Sequence, residues 1–310
     1  MAAMIRQQLH TRLMGSSFEL IAVDENESLA LQRLREGVAE IQRIETLLTE
    51  FSDDSQTALL NKYAGEKPVK VDSEVYELVQ RCLALSALTQ GAFDITAGAL
   101  KALYNFKQRE PRIPTATVLK DALSVVGHRS IRLEKDTVFL SKKGMRIGFG
   151  AIGKGYAADR VRTLWKGLGV RSGVINASGD LTAWGLQPDG KPWRVGIADP
   201  RDPARILLWL PVDDAAIATS GNYEQYFEID GVRYSHNIDP RTGVPVSGIK
   251  SVTIISPSAE LSDALATAVT VMGTDAGLHL IEQLPEVHGI IIDEKDRLLS
   301  TKNIATHAYS

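Results

Sequence analysis

The chain has 310 residues, of which 44% are hydrophobic and 24% charged, and its formal net charge is −3. That length buries a large core in one big domain or two intimate ones, and the composition is that of an ordinary globular protein. The near-neutral balance, with no dense Lys/Arg run, excludes nucleic acid and anionic membrane surfaces as main partners; a single cysteine, Cys82, excludes a disulfide framework and a cysteine-rich zinc site.

No segment reaches the roughly 18 consecutive apolar residues that cross a bilayer. The opening residues, MAAMIRQQLHTRLMG, contain no apolar stretch of the secretory type. The sequence as it stands is therefore expected to be cytoplasmic, or exported if a signal has been removed.

In chain order, residues 12–23 alternate loosely and end in a strand at 18–23. Leu31, Leu34, Val38, Ile41, Ile44 and Leu48 follow helical spacing and predict a helix over about 27–50. A second helix is expected over 73–90, capped by Asp72 or Ser73 and closed by Gly91. Cys82 falls on its apolar stripe with Val75, Leu78, Val79 and Leu85, which marks it as a small core residue. A short helix over 115–125 and strands near 130–133 and 138–140 follow. Further on come a helix from Tyr156 to about Trp165 and strands at 173–176, 193–197 and 206–211. The last elements are a strand at 250–256, helices over 259–272 and 275–283, and a strand at 289–293. Helices interspersed with many hairpin-like strands argue for an α+β fold with mixed or antiparallel sheets.

Residues 219–243 are unusually polar: Thr219, Ser220, Tyr223, Arg233, Tyr234, Ser235, His236, Asp239 and Arg241 all fall within them. The pattern predicts strand 226–229, a hairpin turn at Asp230-Gly231, and return strand 232–235. His236 then stands at a strand end, beside the turn residues Asp239-Pro240-Arg241-Thr242-Gly243. Of His10, His128, His236, His279, His288 and His307, no two have zinc-type spacing, and only His236 has motif-like polar neighbours.

Gly148-Phe149-Gly150-Ala151-Ile152-Gly153 matches G-x-G-x-x-G formally. No βαβ run surrounds it, and Leu168-Gly169-Val170-Arg171 stands where the acidic ribose ligand of a dinucleotide fold belongs, so the Rossmann reading is set aside. The physical content remains. Glycines at a helix N-terminus, with Lys154, make an anion site suited to phosphate; the plain alternative is a tight turn into a helix. Asp263 and Thr267 share one face of a helix and can hold a hard cation such as Mg²⁺; equally, they can be an early-helix carboxylate and a back-bonded threonine. Phe93 with Asp94 can serve a flat heterocycle, or be a core residue in a post-helix turn. Asp180 can meet a ligand or cap a turn.

Taken together and in order, these motifs resemble the ApbE family, the FAD:protein FMN transferases. The matching pieces are Met14-Gly15-Ser16, Asp54-Ser55-Gln56, Gly91-Ala92-Phe93-Asp94, and residues 150–159, 176–180, 218–243 and 262–273. The resemblance implies one compact α+β unit over 1–310, Mg²⁺ dependence, and FAD as donor substrate. It implies transfer of FMN to a threonine or serine hydroxyl of a target flavoprotein, with release of AMP. The metal ligands it implies are the Ala151 carbonyl, Asp263 and Thr267. FAD contacts would fall at Met14, Phe51, Ala92, Phe93, Asp94, Lys154 and Asn237. His236 matches the family's candidate base, and Asp180 would orient a neighbouring group. The chain departs from the pattern at Gly148, where an aspartate is usual, and at Ser178, where a glycine is usual. Phe51 stands for a common tyrosine, and Ile95 and Ala99 for frequent prolines. Hydrolysis of FAD to FMN and AMP, or flavin binding without turnover, are the alternative activities.

Overall fold

The computed structural model describes residues 4–104, 113–222, 226–229, 232–302, 304 and 307–308. It opens with a hairpin of β1 (Ile5–Leu13) and β2 (Ser16–Asp24), turned at Met14 and Gly15, which both have positive φ. Two left-handed residues match the twist of the flanking strands. The strand expected at 18–23 is the inner part of β2. β1 was not foreseen: its burial pattern leaves most of its residues exposed or half-exposed, as an edge strand permits, so it carries no apolar alternation.

Helix α1 (Glu27–Leu48) is capped by the Asn26 side chain, which accepts from the Ser28 and Leu29 amides. Its buried stripe is Ala30, Leu34, Gly37, Ile41, Ile44 and Leu48. Leu31 and Val38, expected on that stripe, lie to one side because small residues take the tightest seam. A Cβ on Gly37 would stand 2.8 Å from Leu20 and 2.9 Å from Trp165. Next come α2 (Gln56–Lys62), β3 (Val69–Lys70), α3 (Ser73–Leu88), α4 (Gly98–Lys101), α5 (Ala116–Ser124), β4 (Ile131–Glu134) and β5 (Thr137–Leu140). The stripe of α3 is buried as its spacing predicts, and burial pushes the Cys82 thiol up, so it is an inert core residue.

The second half contains α6 (Gly153–Gly167), β6 (Ser172–Ala177), β7 (Asp180–Trp184), β8 (Trp193–Asp199), β9 (Asp202–Val212) and β10 (Ala215–Gly221). The hairpin of β11 (Tyr226–Ile229) and β12 (Val232–Ser235) follows, with Tyr226 paired to Ser235 as expected. Its turn, Asp230-Gly231, lies outside the described residues, as do Tyr223 and the Arg233 side chain. The chain closes with β13 (Ile249–Ser256), α7 (Ala259–Met272), α8 (Thr274–Ile281), β14 (His288–Asp293), β15 (Leu298–Ser300) and β16 (His307–Ala308).

Eight strands form one sheet in the order β1-β2-β6-β7-β10-β13-β14-β15. Every strand pairing among the described residues is antiparallel, so the glycine motif sits in no parallel crossover. This α+β architecture bears out the expected class. One sheet face packs on α1, α6 and α7, with Phe18, Leu20, Ile175, Ala177 and Trp165 in its core. On the other face Ile21, Val174, Leu181 and Ile217 pack against Trp193, Leu208 and Leu210 of the small β16-β9-β8 sheet. Strand β7 was not expected. Ala177 pairs with Asp180 across Ser178 and Gly179, both at positive φ, so Asp180 opens a strand rather than ending one. Its alternation turns Leu181 and Ala183 to the small sheet and Asp180 to the helix face, where it meets Lys154 of α6.

Candidate active site

At one end of the large sheet, the start of α6, the middle of α7, the β6–β7 turn and the segment after β12 enclose a cavity of about 310 Å³. A larger groove of about 740 Å³ lies between the two sheets, but the titratable cluster lines the smaller one. The two share Ser178 and Thr219.

Helix α7 carries Asp263 into the cavity although the helix is mostly apolar and packed between α6 and the sheet. Gly155 makes the approach possible. A Cβ there would lie 2.2 Å from the Ala259 carbonyl oxygen and 2.9 Å from the Asp263 Cβ. With no side chain in the way, the Gly155 amide donates to Asp263 Oδ2 at 3.2 Å. Burial, and next the Asp180 carboxylate, push the Asp263 carboxyl up to about 7. Thr267 lines the same cavity one turn on. Thr270 bonds back to the Ala266 carbonyl at 2.8 Å, whereas Thr267 has no such bond among the described residues. Ala151 lines the cavity as well. A buried acid with one amide partner, a hydroxyl and a nearby carbonyl are hard oxygen donors, and they fit a hard divalent cation.

Lys154, in the first turn of α6, pairs with the Asp180 carboxylate. Asp180 is buried, and desolvation raises its pKa in spite of the ammonium and the Thr219 backbone bond. The phosphate cradle read from the glycine motif is thus arranged differently. The N-terminus of α6 holds the protein's own Asp263 carboxylate, which its positive end favours. Lys154 is engaged by a second carboxylate.

His236 is half-buried and lines the cavity just past β12. The segment that positions it is held by polar side chains. Asn237 Nδ2 donates to Asn222 Oδ1 at 2.9 Å and to Ser220 Oγ at 3.2 Å. Ser235 Oγ donates to the Val246 carbonyl at 3.1 Å. The turn closes at Gly243, whose φ of 73° suits glycine and whose carbonyl accepts from the Tyr104 hydroxyl at 2.8 Å. The polar crowding of residues 219–243 is therefore partly structural, since Asn237 clamps the base of the hairpin.

Ala92, Phe93 and Asp94 line the far wall. Phe93 also belongs to the main core, and Asp94 is tied down by Thr96 Oγ1 at 2.7 Å and the His128 amide at 2.8 Å. Met14 and Phe51 are not among the lining residues. The Met14 methyl rests 3.5 Å from the Cβ position of Gly153, and Phe51 is 92% exposed in the loop after α1.

Two charged lining residues escaped the sequence reading, Glu50 and Lys101. A Cβ on Gly148 would stand 3.2 Å from Glu50 Oε1, so a carboxylate from the end of α1 faces the position where the family pattern has its aspartate. Lys101, the last residue of α4, brings its Nζ to 3.9 Å from the Cβ position of Gly150. Lys101 is exposed as a residue, but the protein crowding its ammonium end holds that group below the ordinary lysine value, while Glu50 and Asp263 oppose the shift. A lone, exposed lysine looks like a surface residue, and only its place seven residues beyond Asp94 hinted at the cavity.

The chain resembles proteins of known kind over most of its length. It is 34% identical to a FAD:protein FMN transferase of Treponema pallidum over 87% of this chain and 80% of that one. With a FAD:protein FMN transferase of Vibrio cholerae it shares 33% identity over 80% of each chain. The crystal structure of the ApbE protein of Thermotoga maritima superposes with a TM-score of 0.88 at 30% identity, over 96% of this chain and 97% of that one. The apo form of the Pseudomonas stutzeri flavinyl transferase ApbE gives 0.87 at 31%, over 96% and 95%. Residues 14–291 match the family described as ApbE, and the chain belongs to that family.

Proposed function

We propose that the protein transfers FMN from FAD to a threonine or serine hydroxyl of a target flavoprotein and releases AMP. The observation that carries this reading is the convergence of Asp263, Thr267, Lys154, Asp180 and His236, from four distant segments, on one cavity. The transferase names of its relatives support it.

The acceptor oxygen attacks the FMN-side phosphorus, the bond to the bridging oxygen breaks, and AMP leaves. His236 takes the proton of the attacking hydroxyl. Asp263, Thr267 and the Ala151 carbonyl would hold Mg²⁺, which supplies charge neutralisation at the diphosphate. Lys154 contributes positive charge beside it, and Asp180 fixes the Lys154 ammonium in place. Ala92, Phe93 and Asp94 would bound the donor at the far wall, with Asn237 keeping the His236 segment in register. Met14 and Phe51 lie outside the cavity lining.

Mass spectrometry of a flavoprotein subunit incubated with this protein, FAD and Mg²⁺ tests the reading. An FMN-sized mass gain on one threonine or serine is expected, with no gain for Asp263→Ala. Steady loss of FAD without any acceptor would instead assign a hydrolase. Tight FAD binding with no turnover would assign a carrier.

A further inference from the structure

The cavity contains more negative than positive charge. Glu50, Asp94, Asp180 and Asp263 line it, against Lys101 and Lys154. A diphosphate entering such a site is repelled unless a cation is available to it. Lys154 is occupied by Asp180. The Gly155 amide at the α6 N-terminus is occupied by Asp263. Glu50 has its own partner in Arg146, at 3.7 Å. Lys101 differs: among the described residues its ammonium has neither an ion pair within 4.0 Å nor a hydrogen bond. Its Nζ nevertheless reaches the glycine turn, 3.9 Å from the Cβ position of Gly150, within electrostatic reach of Glu50 and Asp263.

We propose that Lys101 binds a phosphate oxygen of the nucleotide donor, in the same cavity as the Lys154–Asp180 pair and beside the Gly150 turn. This rests on the reading of the cavity as the FAD site. The contact forms on binding and replaces no bond within the described residues. A charge-assisted contact of this kind adds affinity only for ligands that carry phosphate. It gives a nucleoside without phosphate nothing.

Calorimetric titration in EDTA separates the roles, with ADP as the diphosphate probe, adenosine as the phosphate-free probe, and FAD. Lys101→Met is expected to weaken ADP and FAD roughly tenfold and leave adenosine unchanged, the scale of one lost hydrogen bond to a charged group. Lys101→Arg is expected to stay within about threefold of wild type for ADP, because the charge is kept. Equal ADP affinity in wild type and Lys101→Met overturns the proposal while leaving the flavin reading intact. Equal loss of ADP and adenosine also overturns it, since that marks a purely structural lysine. Wild-type protein with no affinity for FAD even after Mg²⁺ is restored in excess of EDTA overturns both readings.

Discussion

Asp263 is held where its charge is unfavourable. Its folded pKa of about 7 lies above the ordinary carboxyl value of 3.8, so the folded protein keeps a proton that the unfolded chain releases. The sign follows by linkage. Stability is fully present below about pH 4, falls as pH rises towards 7, and stays reduced above. Asp263→Asn removes that slope and can still accept from the Gly155 amide. We expect it to stabilise the metal-free protein by on the order of 2 kcal/mol at pH 8 and to change little at pH 4, read from urea midpoints. A variant no more stable than wild type at pH 8 would contradict the burial argument. On the proposed reaction the same variant should lose flavinylation by about a hundredfold or more, because Asp263 would be a ligand of the neutralising cation. His236→Ala should lower the rate by about a hundredfold with FAD affinity nearly unchanged, the pattern of a lost proton acceptor. Equal rates in the variant would remove His236 from the reaction.

Helices α6 and α7 act as one element through Gly155. The Cβ clash with the Ala259 carbonyl, at 2.2 Å, falls on backbone and cannot be relieved by a rotamer change. Gly155→Ala should therefore push the helices apart and cost about 1–3 kcal/mol, with a larger proportional loss of activity because Asp263 moves with α7. Thermal unfolding beside a flavinylation assay checks this; an alanine variant with wild-type stability and activity would show that the contact is slack. The same elements show what periodicity can reveal. The α3 stripe was legible because large apolar residues recur at helical spacing. The α1 seam was read one step off, because Ala30 and Gly37 do the packing and carry little apolar signal. β1 and β7 were missed for related reasons. An edge strand needs no apolar face, and β7 begins with an acid whose burial depends on Lys154 from another helix.

Across the whole molecule, the antiparallel sheet gathers at one end residues separated by more than two hundred positions in sequence. Binding at that end should stabilise the entire fold by mass action. Mg²⁺ at a hundred times its dissociation constant should add about 2.7 kcal/mol to wild type and nothing to Asp263→Ala. A similar gain in both proteins would place the cation elsewhere. By itself the sequence determined the α+β class, the family, and most of the chemical groups of the site, because those are written in local spacing and in ordered short motifs. It also supplied Asp263 and Thr267 as a pair, since helical geometry puts residues four apart on one face. Only the tertiary structure decided how those groups are used. It set the Asp263 carboxylate on the α6 N-terminus, tied Lys154 to Asp180, made Asn237 a clamp, and brought Glu50 and Lys101 to the cavity. Burial and long-range charge created those roles, and neither is a property of a short stretch of chain.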